Sequence, residues 1–391
     1  MRIGIYGGTF NPPHVGHVHA AAEAGRILQL DKLLIIPDNI PPHKEMPAGS
    51  PSNEQRLEMT RLAFGGIPYT EVSDLELYRA GKSYSSDTVQ QVHAMYPDAE
   101  LWLLMGSDML EIFHLWHEPE VITKFAKLAT FVRGEAGEQE MFERMLPLLK
   151  NNFHADITLI PMEALKVSST EIRAAVKHGD PEHLLPEAVL GYIQREHLYE
   201  TDVDLKDLTP EQLRPIAMSY LKHKRIAHVL GTEEEAIRLA QRYGADVTQA
   251  RIAALLHDCT KKLDMPQQMA LCEKYRIVLD PLEQKALKLL HAKTGAEIAK
   301  DIFGVDEAVY EAIKWHTTGK ADMTLLEKIV YLADYIEPTR DFPGVDTLRK
   351  TVYNDLDEGL AMGLEMTIEE MKEMGNPVHE KTLEALRFLK G

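Results

Sequence analysis

The sequence predicts an α/β domain with a largely parallel sheet, followed by an all-helical domain. In the first half of the 391 residues, short β-like apolar runs alternate with amphipathic, helix-like segments, a pattern typical of strands joined by helical crossovers. From about Leu208 onward, long helical periodicities replace this alternation. Residues 200–207, between the two halves, form a short acidic stretch without apolar periodicity. We therefore predict one domain at residues 1–200 and a second at residues 208–391.

Individual segments justify each half of this prediction. The predicted strands are residues 3–6, 33–36, 101–105, 128–132 and 157–160. The clearest helical periodicities of the second half are residues 233–243, 248–257, 282–290 and 325–336. Because 45% of the residues are hydrophobic, the chain has enough apolar material for a buried core.

The charge balance argues against two classes of protein. Lys and Arg total 43 against 61 Asp and Glu, which gives a formal net charge of −18 and disfavours nonspecific binding to nucleic acids or anionic membranes. We therefore expect no nucleic-acid or membrane partner, and a homodimer is left open. No apolar run approaches the roughly 18 residues of a membrane span, and the start of the chain lacks a signal-peptide core, so we expect a cytoplasmic enzyme. The two cysteines, Cys259 and Cys272, are too few for a disulfide framework, and we expect both to be reduced.

A glycine-containing turn follows the first predicted strand. Residues 7–17 read GGTFNPPHVGH and precede a helix-like run. Gly7 and Gly8 let a ligand approach the backbone, and the helix N-terminus offers free N–H groups to an anion. His14 and His17 lie three residues apart, so both imidazoles can face one phosphate chain and stabilise charge that develops on it. A tight turn with two surface histidines is the alternative.

A second phosphate-binding element is predicted in residues 167–173. Ser168 followed by Glu171 forms a capping box, so a helix begins there with free N–H groups, and Arg173 lies just inside it. A well-capped helix with a solvated arginine is the alternative. Together, the two segments resemble the HxGH and SSTxIR elements of the adenylyltransferase superfamily. This resemblance implies a Rossmann-like nucleotidyltransferase domain that transfers a nucleotidyl group directly and releases pyrophosphate.

Within that superfamily, the first domain resembles nicotinate-mononucleotide adenylyltransferase over residues 1–198. The segments that carry this resemblance are PPHK at 41–44, YSSDT at 84–88, and GSDM at 106–109 with Phe113 and Trp116. The resemblance implies that Thr88 and the backbone near Trp116 receive the nicotinate, that Trp116 stacks on its ring, and that Asp108 contacts the adenine nucleotide. The alternatives are a core aromatic for Trp116 and a turn residue for Asp108.

The same resemblance implies a set of site residues for ATP with Mg²⁺ and for the acceptor mononucleotide. The implied catalytic residues are His14, His17, Lys44 and Arg173. The implied substrate-binding residues are Gly7, Gly8, Thr9, Phe10, Asn39, Thr88, Gly106, Asp108, Trp116, Arg133, Ser168, Ser169 and Thr170. Two positions depart from the family pattern: Ser85 stands where threonine is common, and Arg133 is followed by Gly-Glu. Nicotinamide mononucleotide or a pantetheine phosphate remains an alternative acceptor.

The helical half contains six residues of metal-ligand type: His228, His257, Asp258, His291, His316 and Asp334. His257 and Asp258 follow the apolar run 252–256, so two such residues end a predicted buried helix. Helical bundles assemble metal sites from facing helices in this way, although a single histidine on an apolar helix is more often part of a core. Mixed imidazole and carboxylate ligation suits iron, manganese or zinc, and we favour iron or manganese.

The order of these six residues resembles the binuclear form of the HD superfamily of metal-dependent phosphohydrolases. By that resemblance, one ion is held by His228, His257, Asp258 and Asp334, and a second by His291 and His316. Asp258 would bridge the two ions. Such ion pairs lower the pKa of a water and stabilise charge on the attacking and leaving oxygens.

Three cationic residues near these ligands, Arg225, Lys261 and Arg340, would bind the phosphates of the substrate, or else are solvated surface charges. The strings RxxHxxG, LLHDxxK, WHTTG and LADYIEPTRDFPGV resemble the bacterial diadenosine tetraphosphatase branch over residues 215–365. This resemblance implies symmetrical cleavage to two ADP, with catalytic roles for Asp258 and Lys261. Thr339 stands where we expect glycine. The alternatives are hydrolysis of another nucleotide phosphoester and a regulatory module that binds a nucleotide without hydrolysing it.

Overall fold

The computed structural model of the protein describes residues 1–42, 45–132, 134, 137–162, 167–177 and 183–391. The chain divides into two compact units, Met1–Asp202 and Val203–Gly391. The first is α/β and the second is all-helical, so the predicted fold class is confirmed.

The first unit is built on a six-stranded parallel sheet. Its strands are β1 (Arg2–Gly8), β2 (Lys32–Pro37), β3 (Thr70–Val72), β4 (Glu100–Gly106), β5 (Ala126–Val132) and β6 (Ile157–Pro161). They lie in the order β3-β2-β1-β4-β5-β6, and each neighbouring pair is parallel. The strand order therefore reverses between β1 and β4, and sheets of this kind bind ligands at such a switch point, beyond the carboxyl ends of the strands.

Helices cover both faces of this sheet. They are α1 (Val15–Leu28), α2 (Asn53–Phe64), α3 (Ser85–Met95), α4 (Ser107–Glu111), α5 (Pro119–Phe125), α6 (Glu138–Phe153), α7 (Ser169–Lys177) and α8 (Glu187–Arg195). Alternate side chains of a strand enter opposite cores. Ile3 and Ile5 pack with α3 to α6, whereas Tyr6 packs with α1, α2, α7 and α8. Burial on both faces explains why the strands appear in the sequence as continuous apolar runs.

The second unit packs helices around one core. The helices are α9 (Pro210–Ser219), α10 (His223–Tyr243), α11 (Val247–Leu256), α12 (Met265–Tyr275), α13 (Leu287–Phe303), α14 (Glu307–Trp315), α15 (Leu325–Ile336), α16 (Val345–Asn354), α17 (Leu356–Glu373) and α18 (Glu380–Lys390). The long helix α10 packs against α11 and α15, and α14 packs against α11, α13 and α15. Among the described residues, no helix has both the length and the hydropathy needed to cross a membrane.

Two local features of the structure differ from the sequence prediction. β3 was not predicted, because residues 70–72 form a short, incompletely buried strand without an apolar run. The predicted helix at 282–290 is interrupted: a 3₁₀ turn spans Glu283–Lys285, and α13 begins only after it. The carboxylate of Asp280 accepts two backbone N–H groups at the start of this turn, which favours a separate turn over a longer helix.

Candidate active sites

A cleft of about 770 Å³ opens at the carboxyl ends of β1 and β4 in the first unit. Most of the site residues predicted for this unit line it: Gly7, Gly8, Thr9, Phe10, His14, His17, Gly106, Asp108, Trp116, Ser168, Ser169, Thr170 and Arg173. Ser85, which departs from the family pattern, also lines the cleft. The cleft therefore lies at the topological switch point, and two segments that are distant in the sequence form its walls.

The two histidines of the first motif meet at the N-terminus of α1. His14 is the N-cap residue, and its backbone N–H donates to His17 Nδ1 at 3.2 Å. The ring centroids are 3.7 Å apart. Because His17 Nδ1 accepts this hydrogen bond, its neutral ring carries the hydrogen on Nε2 and can donate it to a ligand. A Cβ on Gly16 would lie 3.1 Å from the His14 ring and 3.0 Å from Val167, so glycine at this position lets the ring pack closely.

Hydrogen bonds join the second motif to the first. Ser168 and Glu171 form the predicted capping box, with reciprocal backbone-to-side-chain hydrogen bonds of 3.0 and 3.2 Å. The hydroxyl of Ser169 donates to the Pro12 carbonyl at 3.1 Å, and Arg173 Nη1 donates to the Asn11 carbonyl at 2.8 Å. The N-termini of α1 and α7 are therefore held beside the same cleft.

A buried arginine supports the floor of the cleft. Arg56 on α2 is 1% exposed and donates to the backbone carbonyls of Thr9 and Asp38 at 2.8 and 2.6 Å. The Thr9 hydroxyl donates to the Asp38 carboxylate at 2.9 Å. The sequence analysis missed Arg56, although Leu57, Met59 and neighbouring buried residues place it on the apolar side of α2, which is an unusual position for a charge.

Two of the predicted substrate-binding residues, Asn39 and Thr88, form hydrogen bonds with neighbouring residues and are not among the residues that line the cleft. The Asn39 side chain donates to the Arg79 carbonyl at 2.9 Å and accepts from Asn53 at 2.8 Å. The Thr88 hydroxyl donates to Glu76 at 2.5 Å. Their role in substrate binding stays a prediction, and the predicted Lys44 and Arg133 lie outside the described residues.

Glu76 lines the cleft but was not singled out from the sequence. Glu76 is 6% exposed, and this burial raises the pKa of its carboxyl group to about 7, against the lowering effect of the Thr88 hydroxyl and Arg79. A protonated carboxyl group can donate a hydrogen bond as well as accept one. No motif surrounds Glu76 in the sequence, and only the fold reveals its burial.

The second unit brings its six predicted ligands into one cluster. His228 Nε2 lies 2.8 Å from Asp334 Oδ1, and His257 Nε2 lies 3.8 Å from that oxygen. Asp258 has one carboxylate oxygen 3.6 Å from His257 Nε2. Its other oxygen lies 3.2 Å from His291 Nε2 and 3.8 Å from His316 Nε2. The Asp258 carboxylate thus faces His257 with one oxygen and His291 and His316 with the other, as a bridging ligand would.

The donor atoms in this cluster fit divalent metal ions. His257 Nε2 and Asp258 Oδ1 are buried and form no hydrogen bond within the described part of the chain. His257 and His316 end α11 and α14, and each Nδ1 lies 2.6 Å from the carbonyl three residues earlier. These contacts place the ring hydrogen on Nδ1 and leave the Nε2 lone pair directed into the cluster.

The protonation states of five of the six predicted ligands also suit metal binding. The exception is His228: burial alone would lower its pKa, but hydrogen bonds to Asp334 and Glu337 raise it. Burial lowers the pKa values of His257, His291 and His316. Burial by itself would raise the pKa values of Asp258 and Asp334, but the neighbouring histidines and cations hold both well below their usual range. Neutral imidazoles and ionised carboxylates are the forms that coordinate metals.

The three predicted cations surround the cluster. Arg225 pairs with Asp258, and Lys261 Nζ lies 3.3 Å from the same carboxylate. Arg340 Nη2 lies 2.8 Å from Asp334. All three side chains are partly exposed, between 24% and 34%, so they can contact both the cluster and an anion that approaches from solvent.

A separate group of ligand-type side chains, Asp280, Glu283 and His379, lies elsewhere in this unit. His379 Nδ1 accepts the backbone N–H of Lys381 at 3.1 Å, so the neutral ring carries its hydrogen on Nε2, which faces the carboxylates. Lys293 already lies 2.6 Å from Glu283. The group therefore forms an ion pair between Lys293 and Glu283, while the buried His379 Nε2 has no hydrogen-bond partner among the described residues.

Comparisons with known proteins bear on both units. Residues 5–175 match the cytidylyltransferase-like family, and residues 225–339 match the HD domain. Over 198 residues, the chain is 38% identical to a Listeria monocytogenes protein described as a probable nicotinate-nucleotide adenylyltransferase. This match covers 51% of the chain and 97% of the relative. The chain belongs, in its first unit, to the nicotinate-nucleotide adenylyltransferase family.

A second member of the nicotinate-nucleotide adenylyltransferase family, from Carboxydothermus hydrogenoformans, is 36% identical over 200 residues, which are 51% of this chain and 98% of that protein. A solved structure described as a predicted HD superfamily hydrolase involved in NAD metabolism, from Clostridium acetobutylicum, is 41% identical. It covers 47% of this chain and 97% of its own, with a TM-score of 0.45. The cytidylyltransferase-like match includes the residues that line the cleft, and the HD domain match includes all six clustered ligands.

Proposed function

We propose that the chain is a bifunctional enzyme. Its first unit would transfer AMP from ATP to nicotinate mononucleotide, and its second unit would hydrolyse diadenosine tetraphosphate to two ADP. The observation that supports the first activity best is the convergence of His14, His17 and Arg173 on one cleft at the switch point of the sheet, in a unit that belongs to the nicotinate-nucleotide adenylyltransferase family.

Positioning and charge stabilisation account for the transfer step. A phosphate oxygen of the mononucleotide attacks the α-phosphorus of ATP, the new P–O bond forms in line with the bond to the β-phosphate, and pyrophosphate leaves with its bridging oxygen. The N–H groups at the starts of α1 and α7 would receive the phosphates, and His17 and Arg173 would stabilise the charge on the leaving group. Mg²⁺ would enter with ATP, and Lys44 would add a further cation.

The adenylyltransferase proposal is tested by product analysis with a matched pair of variants. We expect His17→Ala to abolish formation of nicotinate adenine dinucleotide, because the variant lacks the Nε2 donor, whereas His19→Ala on the same helix should retain it. Turnover by His17→Ala at a rate near that of the wild type would contradict the proposal. Nicotinamide mononucleotide and phosphopantetheine, supplied separately, would reveal a different acceptor.

The second activity is supported by the cluster around Asp258. The ligands of the first ion would be His228, His257, Asp258 and Asp334, and those of the second would be Asp258, His291 and His316. Mixed imidazole and carboxylate donors suit iron, manganese or zinc, and of these we favour iron or manganese. When bound, such ions supply an activated water and neutralise charge on the phosphates.

This chain's own residues would orient the tetraphosphate. Arg225, Lys261 and Arg340 border the cluster and remain partly exposed, so their cationic groups can hold the phosphates while the inner bridge faces Asp258. In the hydrolysis, a water oxygen bonds to one inner phosphorus and the central bridging oxygen leaves on the other half. Both products are then ADP.

The hydrolase proposal is tested with protein purified anaerobically and supplied with iron or manganese. Incubation with diadenosine tetraphosphate should give ADP alone, and Asp258→Ala should abolish cleavage, whereas the surface variant Asp301→Asn should not. AMP plus ATP would contradict symmetrical cleavage. Tight binding of the dinucleotide by metal-loaded protein without cleavage would instead favour a regulatory module, and cleavage of other nucleotides alone would favour another phosphoester.

A further inference from the structure

One ligand of the proposed metal centre, His228, is held by a buried carboxylate that no motif assigned. Glu337 directly follows α15, three residues beyond Asp334, and is fully buried. Its Oε1 lies 2.9 Å from His228 Nδ1, while His228 Nε2 lies 2.8 Å from Asp334. Each nitrogen of the imidazole therefore contacts a carboxylate, and of these two carboxylates only Asp334 belongs to the cluster of six predicted ligands.

His228 needs such a partner because of its place in α10. His257 and His316 lie at helix ends, where a backbone carbonyl three residues earlier is available to Nδ1. His228 lies within α10, where the preceding carbonyls serve the hydrogen bonds of the helix. A side chain from another element must therefore accept the Nδ1 hydrogen, and Glu337 is in position to do so.

Glu337 is itself held in place from two directions. Thr339 donates its backbone N–H to Oε2 and its hydroxyl to Oε1, both at 2.6 Å. On the other side, a Cβ on Gly231 would lie 2.5 Å from Oε2, so glycine leaves the space that the carboxylate occupies. Thr339 replaces the glycine expected from the resemblance, and its hydroxyl gives this chain an additional hydrogen bond to Glu337.

We propose that Glu337, accommodated by Gly231 and anchored by Thr339, is a positioning residue that holds His228 with Nε2 directed at the metal centre. This inference rests on the proposed metal site. Acceptance of the Nδ1 hydrogen by a carboxylate fixes the tautomer and the ring orientation, and it raises the basicity of Nε2 as a ligand. The effect should therefore appear in metal affinity.

The test is a titration of the full metal-free chain with Mn²⁺, with free Mn²⁺ measured by electron paramagnetic resonance. Glu337→Gln keeps an acceptor oxygen but loses the charge, and Glu337→Ala loses both. We therefore expect the dissociation constant of one Mn²⁺ to rise by about tenfold or more, with Glu337→Ala the weakest binder and Glu337→Gln between it and the wild type. Thr339→Gly should weaken Mn²⁺ binding less. Glu327→Gln is the matched control: Glu327 is 1% exposed, lies in α15, the helix that Glu337 follows, and pairs with Lys320 instead of a predicted metal ligand.

The control separates positioning from stability. A purely structural role would lower the unfolding temperature of Glu337→Gln and Glu327→Gln alike and leave both Mn²⁺ affinities at the wild-type value, which would overturn the inference. If Glu337→Ala does not fold, Glu337→Gln and Thr339→Gly still decide the question. If the wild type binds no Mn²⁺, the proposed metal site and this inference both fail. If the wild type binds Mn²⁺ and Glu337→Gln binds it with the same affinity, only the inference fails.

Discussion

Arg173 donates a hydrogen bond from Nη1 to the backbone carbonyl of Asn11 at 2.8 Å, although the two residues are 162 positions apart in the chain. The contact ties α7 to the turn between β1 and α1, so the two proposed phosphate-binding elements have a defined separation in the absence of ATP. Preorganisation of this kind reduces the reorganisation required when charge develops on the reacting phosphates.

We expect Arg173→Lys to lower kcat/KM for ATP by about 100-fold, because lysine cannot reproduce the planar array of donors. Steady-state formation of the dinucleotide at varied ATP concentration measures this. Lys177→Arg, an exchange of the same two residue types on the same helix, should leave kcat/KM unchanged. An Arg173→Lys variant as efficient as the wild type would show that this guanidinium does not contact ATP.

Arg56→Met should reduce the free energy of unfolding of the first unit by about 3 kcal/mol, because it leaves the Asp38 carboxylate and the carbonyl of Thr9 without their buried partner. Calorimetry of the full chain, following the transition that shifts when ATP is added, measures the change. The matched variant Arg61→Met, on the exposed side of the same helix, should change it by less than about 0.5 kcal/mol. Equal effects of the two variants would contradict the proposed support of the cleft floor.

The stability of the first unit should depend on pH through Glu76. Burial raises the folded-state pKa of this carboxyl group to about 7, from an ordinary value of 4.5. Between these values the folded state binds more protons than the unfolded state, so stability falls as pH rises from about 4.5 to 7, by about 3 kcal/mol in total. Glu76→Gln should remove this fall. The difference between the unfolding temperatures of the wild type and Glu76→Gln should therefore change with pH in this window. A constant difference would contradict the prediction.

Metal removal should destabilise the second unit. A ligand that binds only the folded state stabilises it by about 2.7 kcal/mol at 100 times its dissociation constant. We therefore expect Mn²⁺ to raise one unfolding transition of the metal-free chain, and a chelator to reverse the rise. Asp258→Asn should show little or no rise. A rise of equal size in this variant would mean that Mn²⁺ binds elsewhere.

Much of the fold and of both sites was predictable because the signals are local. Five of the six strands are apolar runs, the capping box of Ser168 lies within four residues, and the ligands of the second unit lie in short strings. Arg56, Glu76 and Glu337 were missed for a common reason: each is an ionisable residue that only the tertiary fold buries. Arg56 donates a hydrogen bond to the carbonyl of Thr9, 47 positions away, and Glu337 pairs with His228, 109 positions away. Sequence periodicity does not report such pairings.

The central claim is that two independent activities share this chain, and a crossed product assay tests it most directly. The assay compares three proteins: the wild type, His17→Ala and Asp258→Ala, each supplied with Mn²⁺ and Mg²⁺. One reaction contains ATP and nicotinate mononucleotide, and the other contains diadenosine tetraphosphate. The nucleotide products of both reactions are then resolved. We predict that His17→Ala loses only the dinucleotide product and that Asp258→Ala loses only the release of ADP. Absence of either activity from the wild type, or loss of both activities in one folded variant, would contradict the account.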